Sequence, residues 1–172
     1  MLTSLPHVYA AGDVTQVHNT LDGSDRPLAL WPNAIRQGRI AGMAMAGKPF
    51  VTFPGNFAVN AVDFFHISLL TAGVINPPEG EGYEVDILTE GDTYAKFVTK
   101  DGVLMGYILL NRPEGAGIYT AMIEQKVPLT SVSPDVFESA PENLSFGEDA
   151  RWARLHKGYP FDMDRYGRKE RA

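Results

Sequence analysis

The sequence predicts an α+β chain: a mostly antiparallel sheet with flanking helices, preceded by a strand, a loop and a helix. Three observations carry this. Asp101-Gly102 stands between the apolar runs 94–99 and 103–110. An Asp-Gly pair so placed is the strongest short-range sign of a hairpin, because a type I′ turn needs φ > 0 at both central positions. Tyr83, Val85 and Ile87 alternate with Glu84 and Asp86, the period of a half-buried strand. Two helical patterns, punctuated by proline and glycine, lie on either side of these strands.

Taken in order, Val8-Tyr9-Ala10-Ala11 reads as a short apolar strand that runs into the turn pair Gly12-Asp13. A polar loop containing Asp22-Gly23-Ser24-Asp25 follows. A helix then runs from Pro32 or Asn33 to Ala46. Pro32 suits the first helical position, where its missing N–H costs nothing, and Gly47 and Pro49 stop the helix. Ala34, Gly38, Gly42 and Ala46 recur every four residues and form one smooth stripe. A helical glycine costs about 1 kcal/mol relative to alanine, so the stripe predicts close approach by another backbone element. Arg36 and Arg39 in the same short helix exclude a membrane packing motif.

Pro49, Pro54 and Gly55 divide the chain near residue 50. Residues 61–65 read as a strand, and 67–74 continue in extended or bent form. The alternating segment and the hairpin follow. Pro113-Glu114 opens a second helix, with Ile118, Met122 and Lys126 along one side and Tyr119 and Ile123 beside them, ended by Pro128. Ser133-Pro134-Asp135 reads as the cap and first turn of a short helix. From Ala140 the pattern fades. Three segments result: 1–48, 51–139 and an irregular basic tail, 140–172.

Composition narrows the function. The 172 residues are 44% hydrophobic and 21% charged, a globular balance that disfavours disorder and coiled coil. With no cysteine in the chain, a disulfide framework, a thiolate metal site and cysteine redox chemistry are excluded within it. A net charge of −6 argues against a general nucleic-acid binder. That charge is uneven: residues 1–150 hold 8 basic and 18 acidic side chains, a balance of −10, and residues 151–172 hold 7 and 3, a balance of +4. The tail is either a solvated end or a clamp for an acidic surface. No apolar run reaches the roughly 18 residues of a membrane span, and the first residues lack the signature of a signal peptide. A cytoplasmic location is therefore expected. His7, His18, His66 and His156 show no metal-ligand spacing, so no metal is expected. No P-loop or Gly-x-Ser-x-Gly occurs.

The segment Thr3-Ser4-Leu5-Pro6-His7-Val8-Tyr9-Ala10-Ala11-Gly12-Asp13-Val14 resembles the second FAD motif of the pyridine nucleotide–disulfide oxidoreductases. The following Leu28-Ala29-Leu30-Trp31-Pro32-Asn33-Ala34-Ile35-Arg36-Gln37-Gly38-Arg39-Ile40-Ala41-Gly42 resembles that family's next element, a helix whose amino end faces the flavin ring. Residues 97–109 and 116–123 are similar to the hairpin and helix of the family's carboxy-terminal interface domain. The NADH oxidase, nitrite reductase and rubredoxin reductase type is the nearest likeness.

The resemblance implies that Gly12 and Asp13 hold the middle of FAD, with Asp13 accepting hydrogen bonds from ribityl hydroxyls. Trp31, Pro32 and Asn33 would lie at the flavin edge. Read without the family, Asp13 is a turn residue or cap and Trp31 belongs to the core. The departures matter as well. The chain has no Gly-x-Gly-x-x-Gly for the ADP part of FAD or for NAD(P)H, and no His-Pro-Thr acid/base motif, so no catalytic residue is assigned. A three-domain member is roughly 400 residues long by the domain-size rule, so the chain resembles a carboxy-terminal third. Residues 1–48 would be the end of an FAD-binding domain and 51–139 a dimerisation-like domain; the small-residue stripe would be shaped to pack against the missing part of the FAD domain, and without it the face including Ile35 and Met43 needs a new cover. Two functions follow as expectations. One is part of an FAD-dependent NAD(P)H oxidoreductase, inactive without the amino-terminal FAD and NAD domains. The other is a stand-alone interaction or dimerisation domain. A homodimer is expected in either case, with residues 1–48 packed on a partner chain or poorly ordered.

Overall fold

The computed structural model describes residues 1–48, 52–142 and 145–147. The tail at 151–172 lies outside the described residues. The elements are β1 (Gln16–His18), β2 (Asp25–Pro27), α1 (Trp31–Met45), β3 (Val59–Phe64), β4 (Ile67–Gly73), β5 (Tyr83–Glu90), β6 (Thr93–Lys100), β7 (Val103–Leu110) and α2 (Ala116–Gln125). β3 to β7 form a five-stranded antiparallel sheet in the order β3-β4-β7-β6-β5. No helix among the described residues is long and apolar enough to cross a membrane.

The expected hairpin is β6–β7, and its turn residues Asp101 and Gly102 have φ of 51° and 69°, as a type I′ turn requires. The register places Phe97 opposite Tyr107 and Tyr107 opposite Ala72, so these three share one face of the sheet. α2 covers that face with Tyr119, Met122 and Ile123, all buried. Phe97 meets the Tyr119 ring edge-on at 4.9 Å and stacks on Phe137 at 4.3 Å. Burying each such side chain is worth roughly 1.5–3 kcal/mol. The polar tips are satisfied. Tyr107 Oη bonds Ala116 O at 3.1 Å and Thr120 Oγ1 at 2.8 Å. Tyr119 Oη donates to Val136 O at 2.7 Å. Burial pushes the Tyr119 phenol up to about 12, so it stays a neutral donor.

The opposite face is crossed by the chain that joins β4 to β5. This connection must pass over β7 and β6 to reach the edge position of β5. Val74 N–H donates to Met105 O at 2.9 Å, and Lys96 Nζ donates to Ile75 O at 2.8 Å. Val98 has no exposed surface although it points away from α2. The crossing runs directly over Gly106. A Cβ there would lie 2.2 Å from Val74 O.

Three expectations need correction. Val8–Ala11 does not form a strand; Tyr9 makes one isolated antiparallel bridge to Leu2. An apolar run becomes a strand only where another strand pairs with it, and none does among the described residues. The polar loop contains a small hairpin, β1–β2, closed by Asn19 and Asp22 side chains on neighbouring backbone and side-chain groups. Ser133-Pro134-Asp135 begins a series of turns, not a helix. The Ser133 hydroxyl goes to the Asp135 carboxylate and does not cap backbone N–H groups. Hydrogen bonds from Ser133 and Ser139 hold that carboxyl below its usual range. The small-residue stripe meets no backbone element within the described residues: nothing comes within 4 Å of a Cβ built on Gly38 or Gly42. The stripe is open, and α1 instead buries Asn33, Gln37 and Ala41.

The open stripe makes a prediction about stability. Gly38→Ala with Gly42→Ala removes two helix-interior glycines without meeting any neighbour. The pair is expected to stabilise this chain by about 2 kcal/mol, from roughly 1 kcal/mol per site. Chemical denaturation measures it; a loss of stability would mean that the stripe is covered within the chain.

Candidate functional site

The candidate site is the meeting of the Gly12-Asp13 turn with the first two turns of α1. Gly12 has φ +83°, a conformation glycine reaches without Cβ strain. Thr15 N–H donates to Gly12 O at 3.0 Å and closes the turn. Two bonds fasten it to the helix. Gly12 N–H and Thr15 Oγ1–H both donate to Gln37 Oε1, each at 2.7 Å. Gln37 is 1% exposed, and its Nε2 is a buried donor with no hydrogen-bond partner among the described residues. A Cβ built on Gly12 would stand 3.7 Å from Ala34 Cβ, so the turn lies against the first turn of α1.

Gln37 lies in the segment that carries the family likeness, and the sequence alone assigns it no role. The available signal was the polar pair Asn33 and Gln37, four apart, with Ala41 completing a second stripe beside the small-residue one. Polar groups on a buried stripe must find partners.

The predicted residues fall in distinct places. Asp13 is exposed in the turn next to Gly12. Trp31 is 80% exposed, which overturns its reading as core: it stands on the first position of the helix, where little of the chain surrounds it. Pro32 is exposed beside it. Asn33 is buried; its Nδ2 donates to Leu28 O at 3.3 Å, and its Oδ1 accepts from Asn56 Nδ2 at 2.6 Å. Its side chain thus ties α1 to the start of the sheet region. Among the described residues the helix start has no side-chain cap, and its first turn holds no acidic residue. Its amino-terminal N–H groups and partial positive charge favour an electron-rich group.

The hydrogen bonds that join residues 15–33 to the sheet region gather at Asn56, and Leu21 packs against the sheet's core beside them. Asn19 and Asn56 form a parallel bridge, Asn56 N–H donates to His18 O at 3.0 Å and Thr20 N–H donates to Asn56 O at 3.2 Å. Gly55, at φ +92°, passes so close that a Cβ would lie 2.3 Å from His18 O. A cavity of about 440 Å³ opens beside this junction, away from the Gly12-Asp13 turn, between Asp22 and Arg26 of the small hairpin and Ile75, Asn76 and Tyr83 of the crossing. Asp22 and Arg26 are already paired at 3.1 Å.

This is the carboxy-terminal fold of the pyridine nucleotide–disulfide oxidoreductases, an α+β unit of two helices and a five-stranded antiparallel sheet. The chain's relatives and structural neighbours are pyridine nucleotide–disulfide oxidoreductases, and the likeness covers about 75% of it. It is 27% identical over 146 residues to the pyridine nucleotide-disulfide oxidoreductase domain-containing protein 1 of Pongo abelii, covering 80% of this chain and 29% of that protein. It is 31% identical over 132 residues to the epsilon subunit of the NADH-dependent phenylglyoxylate dehydrogenase of Aromatoleum evansii, covering 76% of this chain and 31% of that one. Among solved structures, an FAD-dependent pyridine nucleotide-disulphide oxidoreductase from Desulfovibrio vulgaris matches with a TM-score of 0.61 and 25% identity, over 74% of this chain and 34% of that chain. The chain thus spans about a third of the length of these relatives. No family model matches it.

Proposed function

We propose that residues 1–48 supply the flavin-contacting end of an FAD-dependent NAD(P)H oxidoreductase, and that residues 51–139 serve as its interface unit. The observation that carries this is the Gln37 clamp, which holds the Gly12-Asp13 turn against the uncapped start of α1. Four features of these residues support the reading. A positive-φ glycine lets backbone approach a ligand closely. The exposed Asp13 carboxylate accepts hydrogen bonds from hydroxyls. Pro32 brings no N–H, so the backbone donors of the helix start belong to Trp31 and Asn33. Those donors and the helix dipole favour negative charge at the edge they face. The exposed Trp31 indole gives that edge an apolar wall. Flavin, when bound, supplies two-electron chemistry between NAD(P)H and an acceptor.

On this reading the 172-residue chain alone is inactive and purifies without flavin, because most of a cofactor's contacts lie elsewhere. Stoichiometric absorbance near ~450 nm after gel filtration would overturn that. In an enzyme completed by the FAD and NAD domains, Asp13→Ala is expected to weaken FAD retention by about 1.5–3 kcal/mol, the worth of a hydrogen bond to a charged group. The melting of the sheet unit should not change. Unaltered flavin occupancy would reduce Asp13 to a turn residue.

A second reading, a stand-alone dimerisation domain without redox activity, is favoured by the apolar end of β3–β4. Phe65 is 94% exposed, and Phe64 and Ile67 beside it are exposed as well. Both readings include a two-fold homodimer. Light scattering over a hundredfold concentration range distinguishes it from a monomer.

A further inference from the structure

One edge of the five-stranded sheet is β5, and the strand with its flanking turns is acidic; the two lysines of the neighbouring β6 are engaged elsewhere, Lys96 Nζ on Ile75 O and Lys100 Nζ over the Tyr83 ring. Alternate residues of an edge strand aim their N–H and C=O groups away from the sheet, and an eight-residue edge with no second partner among the described residues invites another strand. Edge strands are commonly guarded by lysine or proline. β5 has neither: residues 76–95 hold six acidic side chains and no basic one. Glu84 and Asp86 are exposed on the α2 side of β5, and Val85 and Ile87, 43% and 55% exposed, offer apolar footing on the other. The opposite edge, β3, carries a single acidic residue, Asp63.

The same chain holds the complementary segment. Residues 151–172 contain seven basic and three acidic side chains, together with Trp152, Tyr159 and Phe161. The segment follows from the α2 side of the sheet, where Phe146 is buried in the core and bridged to Val132. Twenty-five residues follow Gly147. They could extend to roughly 80 Å at ~3.3 Å per residue, whereas an eight-residue strand is only about 27 Å long.

We propose that the basic segment 151–172 docks along the outer edge of β5 in its own chain, covering the backbone groups of that edge and neutralising its acidic flank. The intact chain provides the test, by hydrogen exchange at low ionic strength. Amides of residues 83–90 should exchange about tenfold faster once all seven basic residues of the segment are replaced by glutamate. Amides of 103–110, in the sheet interior, report that the fold persists. Adding Glu84→Lys, Asp86→Lys and Glu90→Lys to that variant should restore the protection, which loss of a neutral structural contact would not permit. In the parent, salt near ~1 M should abolish it, since the screening length there falls to about 3 Å. The proposal fails if the seven replacements leave 83–90 unchanged, as for a solvated tail. It also fails if protection rises with protein concentration, as for an edge that pairs with a second copy.

Discussion

Gly106→Ala is expected to destabilise the protein by about 3 kcal/mol, a fall in Tm of roughly 6–12 °C for a chain of this size. The cause is steric, not conformational. The new methyl would stand 2.2 Å from Val74 O and 2.6 Å from Val74 N and C. These are backbone atoms of the β4–β5 crossing, and they cannot rotate away as a side chain could. Relief requires lifting the crossing from the sheet, which threatens the Val74–Met105 and Lys96–Ile75 hydrogen bonds together. Gly117→Ala is the control. It lies in α2 with nothing within 4 Å of its Cβ, so it should gain up to about 1 kcal/mol. Calorimetry of the two variants decides the matter; if Gly106→Ala melts with the parent, the crossing is not closely packed.

Gly55→Ala should uncouple the amino-terminal segment from the sheet. Its methyl would meet His18 O at 2.3 Å, and φ +92° adds backbone strain for any other residue. The bond from Asn56 N–H to His18 O and the Asn19–Asn56 bridge are then lost. Amides of Thr20 and Asn56 should exchange about a hundredfold faster, or roughly 2.7 kcal/mol of local protection. The amides of β7 should hardly change. Equal loss at both places would show that the segment and the sheet unfold as one body.

What could be read from the sequence was chiefly local. The β6–β7 turn was legible because Asp101 and Gly102 carry its φ requirements themselves. α1 was legible at both ends because Pro32 and Gly47 punctuate it, and the alternation of β5 revealed its period. Long-range partners were not legible. The run Val8–Ala11 has strand composition, but pairing is not a property of a run. β1 and β2 have three residues each, too few for a period. Of the candidate site, Gly12, Asp13, Trp31, Pro32 and Asn33 were found through family likeness. The bond that assembles them, from Gly12 to Gln37, spans 25 residues and is invisible to spacing arguments. Asn33 was placed at a ligand edge by the same likeness, yet its side chain is engaged inward with Asn56.

The β4–β5 crossing also orders the folding reaction in time. β5, β6 and β7 are joined by two tight hairpins, so this meander closes only short loops and assembles early. β4 must instead pair with β7 across more than thirty intervening residues, and the crossing settles over Gly106 only when that pairing is made. Its hydrogen bonds are therefore expected to form late and to contribute little to the rate of folding, which φ-values near zero at Val74 would check. What they govern is the lifetime of the folded chain, because interactions absent from the transition state act on unfolding.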